Sequence, residues 1–405
     1  MRRVGFVLAL IICVGLTAAQ ADTYRYLLVG DSWTQAEHSY GSINSLMDDW
    51  GLYEWASKGD VTAIGGTTAD WWTYNLYLIG NELAANSTID VVYMHLGGND
   101  FLGGWHASMT PAQEEVLWAA IVADLEVVID YCIAQRTGLR VLLSGYDYLN
   151  FVETLSDEGA MALWLLLGSP SANRINWALI NLGAEKRDLC LDTTNAHYEQ
   201  NWGLMQYVFG YPSLSIPPGY WPAPGTEPNY NPWPGGNPDY PSPPEAMGNG
   251  GKDPIHLNAT GYYYIIWNSA AHFLVPWLGQ ACFPSPAHGA TGVDVNADLS
   301  WGACPGATAH DVYFGTGGEY RGRTTYTTYD PGTMAGDTTY YWRIDEVFGT
   351  EVVTGLWWNF KTAKVDCGAE ASYGTAGGSG AKALLPLIPV LLALGVWFVR
   401  KRVTA

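Results

Sequence analysis

The sequence predicts an α/β domain, a parallel sheet covered by helices on both faces, followed by a small β-sandwich. Three observations predict it. Strand-like and helix-like segments alternate over residues 22–280, and such alternation builds parallel sheets with both faces covered. Glycine-rich turns follow the first three strand-like segments, as Gly30-Asp31-Ser32, Gly65-Gly66 and Gly97-Gly98-Asn99-Asp100. Residues 284–363 then change to short alternating segments separated by turns such as Asp330-Pro331-Gly332, the pattern of a sandwich.

In chain order, residues 24–29, 61–64, 89–96 and 139–144 read as strands, and 188–192 is a candidate fifth. Helical patterns fall at 42–57, 68–85, 111–135 and 171–183. Pro111 opens the long helix with Thr110 as its N-cap. The glycine-rich turns all sit at strand carboxyl ends, where open α/β sheets place their sites. Residues 211–245 break the alternation with 12 prolines and the aromatics Tyr211, Tyr220, Trp221, Tyr230, Trp233 and Tyr240. No helix or central strand holds that much proline; the aromatics predict an ordered functional loop. In the sandwich, strands are expected at 292–301, 309–315, 325–329, 338–347 and 356–361.

The two ends read as export signals. Met1-Arg2-Arg3, an apolar run over 4–16 and Ala19-Gln20-Ala21 form a signal peptide at 1–21. Residues 364–382 are a Gly-rich linker, 383–399 an apolar segment at the short limit for a spanning helix, and 400–405 a basic tail. The arrangement resembles bacterial sorting tails of the Gly-Gly type, which implies a membrane helix as partner to the bilayer and a possible sorting protease. Whether the helix is retained or removed stays open.

The chain has 19 Lys plus Arg against 39 Asp plus Glu, a formal charge of -20. That repels phosphates and excludes a nucleic-acid partner. Without Cys13 of the signal, five cysteines remain: Cys132, Cys190, Cys282, Cys304 and Cys367. Cys304 with Cys367 and Cys132 with Cys190 are candidate disulfides in an oxidising compartment. There is no CxxC or HExxH, so no metal site and no cofactor are expected. No Gly-x-Gly-x-x-Gly, P-loop or Gly-x-Ser-x-Gly elbow occurs.

What does occur is Ser32 at the end of the first strand. A serine hydroxyl needs a base to act as a nucleophile. Among eight histidines, His256 stands out in Asp253-Pro254-Ile255-His256, where a carboxylate three residues earlier can orient the imidazole. Gly30-Asp31-Ser32, the Gly65-Gly66 turn, Gly98-Asn99-Asp100 and Asp253-x-x-His256 together resemble the four blocks of the SGNH (GDSL-type) hydrolases. The resemblance covers residues 22–280 and implies a flavodoxin-like three-layer α/β/α fold. It makes Ser32 the nucleophile, His256 the base and Asp253 its orienting acid. Gly66, with Gly65 as rival, and Asn99 would donate to the oxyanion beside the Ser32 N–H. The first block departs from the family in reading GDSW, and Thr67 stands where an acidic residue is usual. Asp31 reads as a cap of the nucleophile turn. His95 and His106 read as packing or surface residues, with His106 a candidate for the pocket wall.

These readings make the chain an exported serine esterase. The aromatic loop precedes Asp253 and suits stacking on sugar rings, so the expected substrate is a neutral ester, an O-acetyl group on a glycan. A lipase-like esterase for longer acyl chains and a non-catalytic carbohydrate-binding or adhesion protein are the alternatives. The run around Trp301, Trp342, Trp357 and Trp358 resembles fibronectin type III-like modules and is expected to be a spacer or weak binding module.

Overall fold

A computed structural model describes residues 23–365. The signal segment 1–21, the apolar segment 383–399, the basic tail and Cys367 lie outside the described residues. Among the described residues no helix is long and apolar enough to cross a membrane.

The first part of the chain is a three-layer α/β/α fold. Its five strands are β1 (Thr23–Gly30), β2 (Trp55–Lys58), β3 (Val91–His95), β4 (Arg140–Ser144) and β5 (Ala196–Glu199). All pair in parallel in the order β2-β1-β3-β4-β5. The chain leaves β1 toward β2 and returns on the other side to β3. That reversal opens a crevice at the carboxyl ends of β1 and β3. Alternate residues of β1 feed opposite layers. Leu27 and Val29 pack on one face with Ile121, Leu125 and Leu179, while Tyr26 and Leu28 pack on the other with Ile43, Met47 and Ile266.

The long helix is Pro111–Ala134, with Thr110 as its N-cap as the sequence predicts, and Gln113 completes a capping box with it. Other boundaries differ from expectation. The helix expected over 42–57 ends at Asp49, and the second strand follows at Trp55–Lys58. The segment 61–64 makes only a single bridge, Gly30 with Ala63; Thr62 spends its hydroxyl on the Leu28 carbonyl. The candidate strand at 188–192 is the last turn of the helix Ala172–Asp192. Its apolar residues are Leu189, Cys190 and Leu191, and the preceding helix carries them on past Gly183. The pattern over 68–85 is two helices, Ala69–Thr73 and Leu76–Ala85, parted at Tyr74 and Asn75.

The proline-rich loop is ordered, and buried amides hold it. Proline removes backbone donors but leaves carbonyls that need partners. Gln200 donates to the carbonyls of Gly225 and Pro232 at 2.6 and 2.8 Å. Gln206 donates to Tyr240 and Pro241 at 3.0 and 2.9 Å, and Asn150 to Ser242 at 2.8 Å.

The β-rich region has two sheets. One holds Ala290–Val293, Ala309–Gly315, Glu319–Thr324, Thr339–Phe348, Glu351–Val353 and Trp358–Thr362; the other holds Cys282–Ser285, Leu299–Gly302 and Thr328–Tyr329. Trp301, Trp342 and Trp358 are core residues between them, with Val312, Phe314 and Phe360. Trp357 is more exposed, and the Arg343 guanidinium lies 4.7 Å from its ring. The segment expected as a single strand at 292–301 is divided by a turn, and of 325–329 only Thr328–Tyr329 is strand, after a bend. Cys132 and Cys190 are both buried and unpaired, so the disulfide expected between them is absent; Cys282 and Cys304 are also free thiols.

Candidate active site

The chain must turn sharply out of β1 to present Ser32. Gly30 has φ +140°, and a Cβ there would lie 2.0 Å from the His95 carbonyl oxygen of the neighbouring strand. Only glycine fits that approach. Asp31 is the N-cap of the next helix, Ser32–Tyr40, its Oδ1 accepting from the Trp33 N–H at 2.9 Å. Ser32 is the first residue of that helix, so its N–H has no intrahelical carbonyl.

Ser32 Oγ lies 2.8 Å from His256 Nε2, and His256 Nδ1 lies 3.0 Å from Asp253 Oδ2. A carboxylate only accepts, so Nδ1 carries the proton and Nε2 presents its lone pair to the serine hydroxyl. Asp253 Oδ1 also accepts from the N–H groups of Ile255 and His256, each at 2.9 Å. Burial pushes Asp253 toward protonation, but these donors outweigh it and hold the carboxyl below its ordinary range. Burial likewise pulls His256 down, yet the hydrogen bond and charge of Asp253, with a smaller contribution from Asp31, leave it raised.

Three segments meet opposite this chain of bonds. Asn99 Nδ2 donates to the Thr67 carbonyl at 2.9 Å, which fixes the amide plane and leaves its second N–H. Asp100 accepts from the Ala69 N–H with both oxygens, at 3.1 and 2.9 Å, and ties the second loop to the third. Thr67 Oγ1 donates to the Ile64 carbonyl at 2.9 Å and accepts from the Trp72 indole at 3.0 Å. Its hydroxyl takes a structural place, so an acidic residue is not needed there. Gly66 is in the left-handed region at φ +80°. Among the described residues nothing accepts from the N–H of Gly65 or Gly66. Ser32, Asn99, Asp253 and His256 are all partly accessible.

A small cleft runs beside Ser32 and Asn99, walled by Phe101, Leu102, Tyr146, Leu149, Leu179 and Ile255, with a volume of about 20 Å³. A single water-sized group needs about 10–15 Å³ on this measure. His106 is not in the wall; it is exposed and lies 2.7 Å from the Ser108 hydroxyl. His95 is fully buried, its Nε2 3.0 Å from Glu37 Oε1. Among the described residues no cluster of three or more metal-ligating side chains occurs. Sequence reasoning missed Tyr146 and Lys186, which back the site from the far side of the sheet edge. Neither sits in a motif, and their signal is only spatial.

No protein-family model matches the chain, and no curated protein matches it. Solved structures show a likeness. An extracellular lipase from Streptomyces rimosus is 16% identical, with 61% of this chain and 99% of that chain covered, at a TM-score of 0.35. A family 3 carbohydrate esterase from Clostridium thermocellum is 14% identical, with 62% and 96% covered, at 0.32. The sixth fibronectin type III domain of a human protein is 14% identical, with 20% and 82% covered, at 0.18. The assignment of the α/β/α fold rests on strand order and layering.

Proposed function

We propose that the chain is an SGNH-type serine ester hydrolase whose substrate is a short-chain ester, an O-acetyl group on a neutral glycan. The observation that carries the reading is the continuous chain Ser32–His256–Asp253, with contacts of 2.8 and 3.0 Å. Under this reading His256 takes the Ser32 proton as Oγ attacks the ester carbonyl. The oxyanion is met by the Ser32 N–H, the Gly66 N–H and the Asn99 amide. His256 then gives the proton to the leaving alcohol, and an acyl-Ser32 remains. A water deprotonated by His256 attacks the acyl carbon, and carboxylate and free Ser32 result. Asp253 holds the imidazole tautomer throughout.

The narrow apolar cleft beside Ser32, walled by Phe101, Leu102, Leu149, Leu179 and Ile255, supports a small acyl group. The aromatic loop supports the glycan. Asn150 holds its end through Ser242, and the Asn150 N–H donates to the Pro254 carbonyl at 2.9 Å, two residues from His256. Tyr220 and Tyr240 of that loop are exposed, and exposed rings offer apolar faces with a polar edge. The strongly acidic chain favours a neutral polymer over an anionic one. The reading also places the protein outside the cytoplasm, with residues 1–21 removed and 383–399 as anchor or sorting signal. The β-rich region is read as a fibronectin type III-like module.

A fluorophosphonate serine probe tests the class. Wild type is expected to be labelled and Ser32→Ala not. Acetate release from acetylated xylan, with little from long-chain esters, is expected next. An unlabelled wild type favours the non-catalytic carbohydrate-binding reading; strong long-chain activity favours the lipase-like one. N-terminal sequencing of exported protein is expected to begin at Asp22.

A further inference from the structure

Tyr146 lies just past the end of β4 and is buried. Its hydroxyl donates to Asp31 Oδ2 and accepts from the Gly98 N–H at 3.0 Å. Its ring meets the Trp33 ring edge-on at 5.1 Å. Tyr146 therefore touches the residues on both sides of Ser32 and the residue before Asn99. The fit is close, since a Cβ on Gly98 would lie 2.7 Å from Tyr146 Cζ. Behind the ring sits Lys186, fully enclosed, its ammonium 4.9 Å from the ring centroid and donating to the Leu96 carbonyl at 2.6 Å. The charges of Asp31 and Asp100 both act on this ammonium and oppose the effect of its burial.

We infer that Tyr146 is a positioning residue that locks the nucleophile turn to the oxyanion loop, with the Lys186 ammonium packed behind its ring. The inference rests on the hydrolase reading above. The separation between the attacking oxygen and the oxyanion donors must be held to fractions of an ångström, and 1 Å of error costs on the order of 10²-fold. Among the described residues, the Tyr146 hydroxyl bonds to both segments. Charge enters as well. Asp31 is faced by Tyr146 and by Lys186, His95, Glu37 and Tyr262 from the elements around it; His256 is faced by Asp253, Asp31 and Ser32. Burial raises Asp31, while Tyr146, His95 and Lys186 oppose that rise. Burial also lowers Lys186 to about 8. Removing either partner lets Asp31 take a proton more readily, and His256 then loses part of what raises it.

The test is the rate of Ser32 labelling by the fluorophosphonate probe across pH, on the full chain, with Tyr146→Phe and Lys186→Met. Tyr146→Phe is expected to slow the maximal labelling rate per titrated site about ten- to a hundred-fold, with the probe's half-saturation within two-fold of wild type. Its acid midpoint is expected at lower pH. Lys186→Met keeps both hydrogen bonds of Tyr146 and is expected to move the midpoint the same way with a smaller loss of rate. General loosening would lower the melting temperature and the fraction of titratable sites without moving the midpoint. A folded Tyr146→Phe labelled at the wild-type rate with an unmoved midpoint overturns the inference. If Tyr146→Phe does not fold, Lys186→Met decides, and an unmoved midpoint there overturns it. A wild type that is not labelled overturns the hydrolase reading itself, and the role of Tyr146 falls with it.

Discussion

Asp253 and His256 are joined twice across three residues: Oδ2 lies 3.0 Å from the imidazole Nδ1, and Oδ1 accepts from the His256 backbone N–H at 2.9 Å. The second bond holds the carboxylate still while the first orients the ring. Together with the charge of Asp253, they raise His256 above its usual value near 6.5 despite burial. The base must be neutral to act. Hydrolysis is therefore expected to rise with pH through a midpoint above that of a free histidine and to be lost below it. In Asp253→Asn the main raising charge is gone and only the smaller contribution of Asp31 opposes burial, so the midpoint should fall, with the maximal rate down roughly 10³–10⁴-fold. A kcat/KM profile on p-nitrophenyl acetate measures both; a midpoint unchanged by the substitution would contradict the assignment.

Asn99 has one amide hydrogen on the Thr67 carbonyl and one left for the oxyanion. Asn99→Ala is expected to lower kcat on the order of 10²–10³-fold with KM little changed, because the donor acts on the transition state. A raised KM with kcat unchanged would mark it as a substrate-binding residue instead.

Leu102 walls the acyl cleft and is only half-buried. Shortening it adds room in the wall of the cleft. Leu102→Ala should raise the rate on butyrate relative to acetate by about an order of magnitude, the effect of one or two methylenes in an apolar pocket. Measured with p-nitrophenyl acetate and butyrate, an unchanged ratio would show that this cleft does not hold the acyl group.

The four blocks were legible because each is a short run of unusual residues, the first and third at the ends of β1 and β3 and the others in loops, and Ser32 and His256 do meet although 224 residues separate them in sequence. The alternation gave the sheet, but not its second strand. Residues 55–58 contain a tryptophan, an alanine, a serine and a lysine, with no apolar run, whereas 61–64 has one and lies in a turn. Tertiary pairing with β1 decides that strand, and periodicity carries no trace of it. Tyr146 and Lys186 were illegible for a similar reason, since their roles come from neighbours far away in the chain. The cysteines illustrate the limit of counting: spacing suggested a bridge that packing does not make.

Cys132 and Cys190 sit on the inner faces of the helices Pro111–Ala134 and Ala172–Asp192. Both are buried and unpaired, and burial pushes the Cys132 thiol up to about 12. Thiolate is the reactive form, so neither should react while the fold is intact. Iodoacetamide is expected to leave both unmodified in native protein and to alkylate both in denaturant without reductant. Recovery of a Cys132–Cys190 disulfide peptide would refute this.

The β-rich region is not a detached spacer. Its residues share one compact unit with the α/β part, which extends to Ala363. The Trp358 indole donates to the Gly51 carbonyl at 2.7 Å, Tyr53 bonds to the Trp357 carbonyl, and Trp50 packs on Phe283 with centroids 4.6 Å apart. The loop after the helix Ser42–Asp49 is thus held by the sandwich before it enters β2, the strand beside β1. Trp358 is fully buried, so Trp358→Phe leaves the Gly51 carbonyl without its donor at a cost of about 1–3 kcal/mol. At no more than roughly 2–4 °C per kcal/mol for a unit of this size, a fall of a few degrees in Tm is expected. The decisive feature is cooperativity. Calorimetry should show one transition, and Trp358→Phe should shift it whole, with the loss of esterase activity on heating moving by the same amount. Two transitions, of which only the one without esterase activity moves, would mean that the sandwich does not support the catalytic fold.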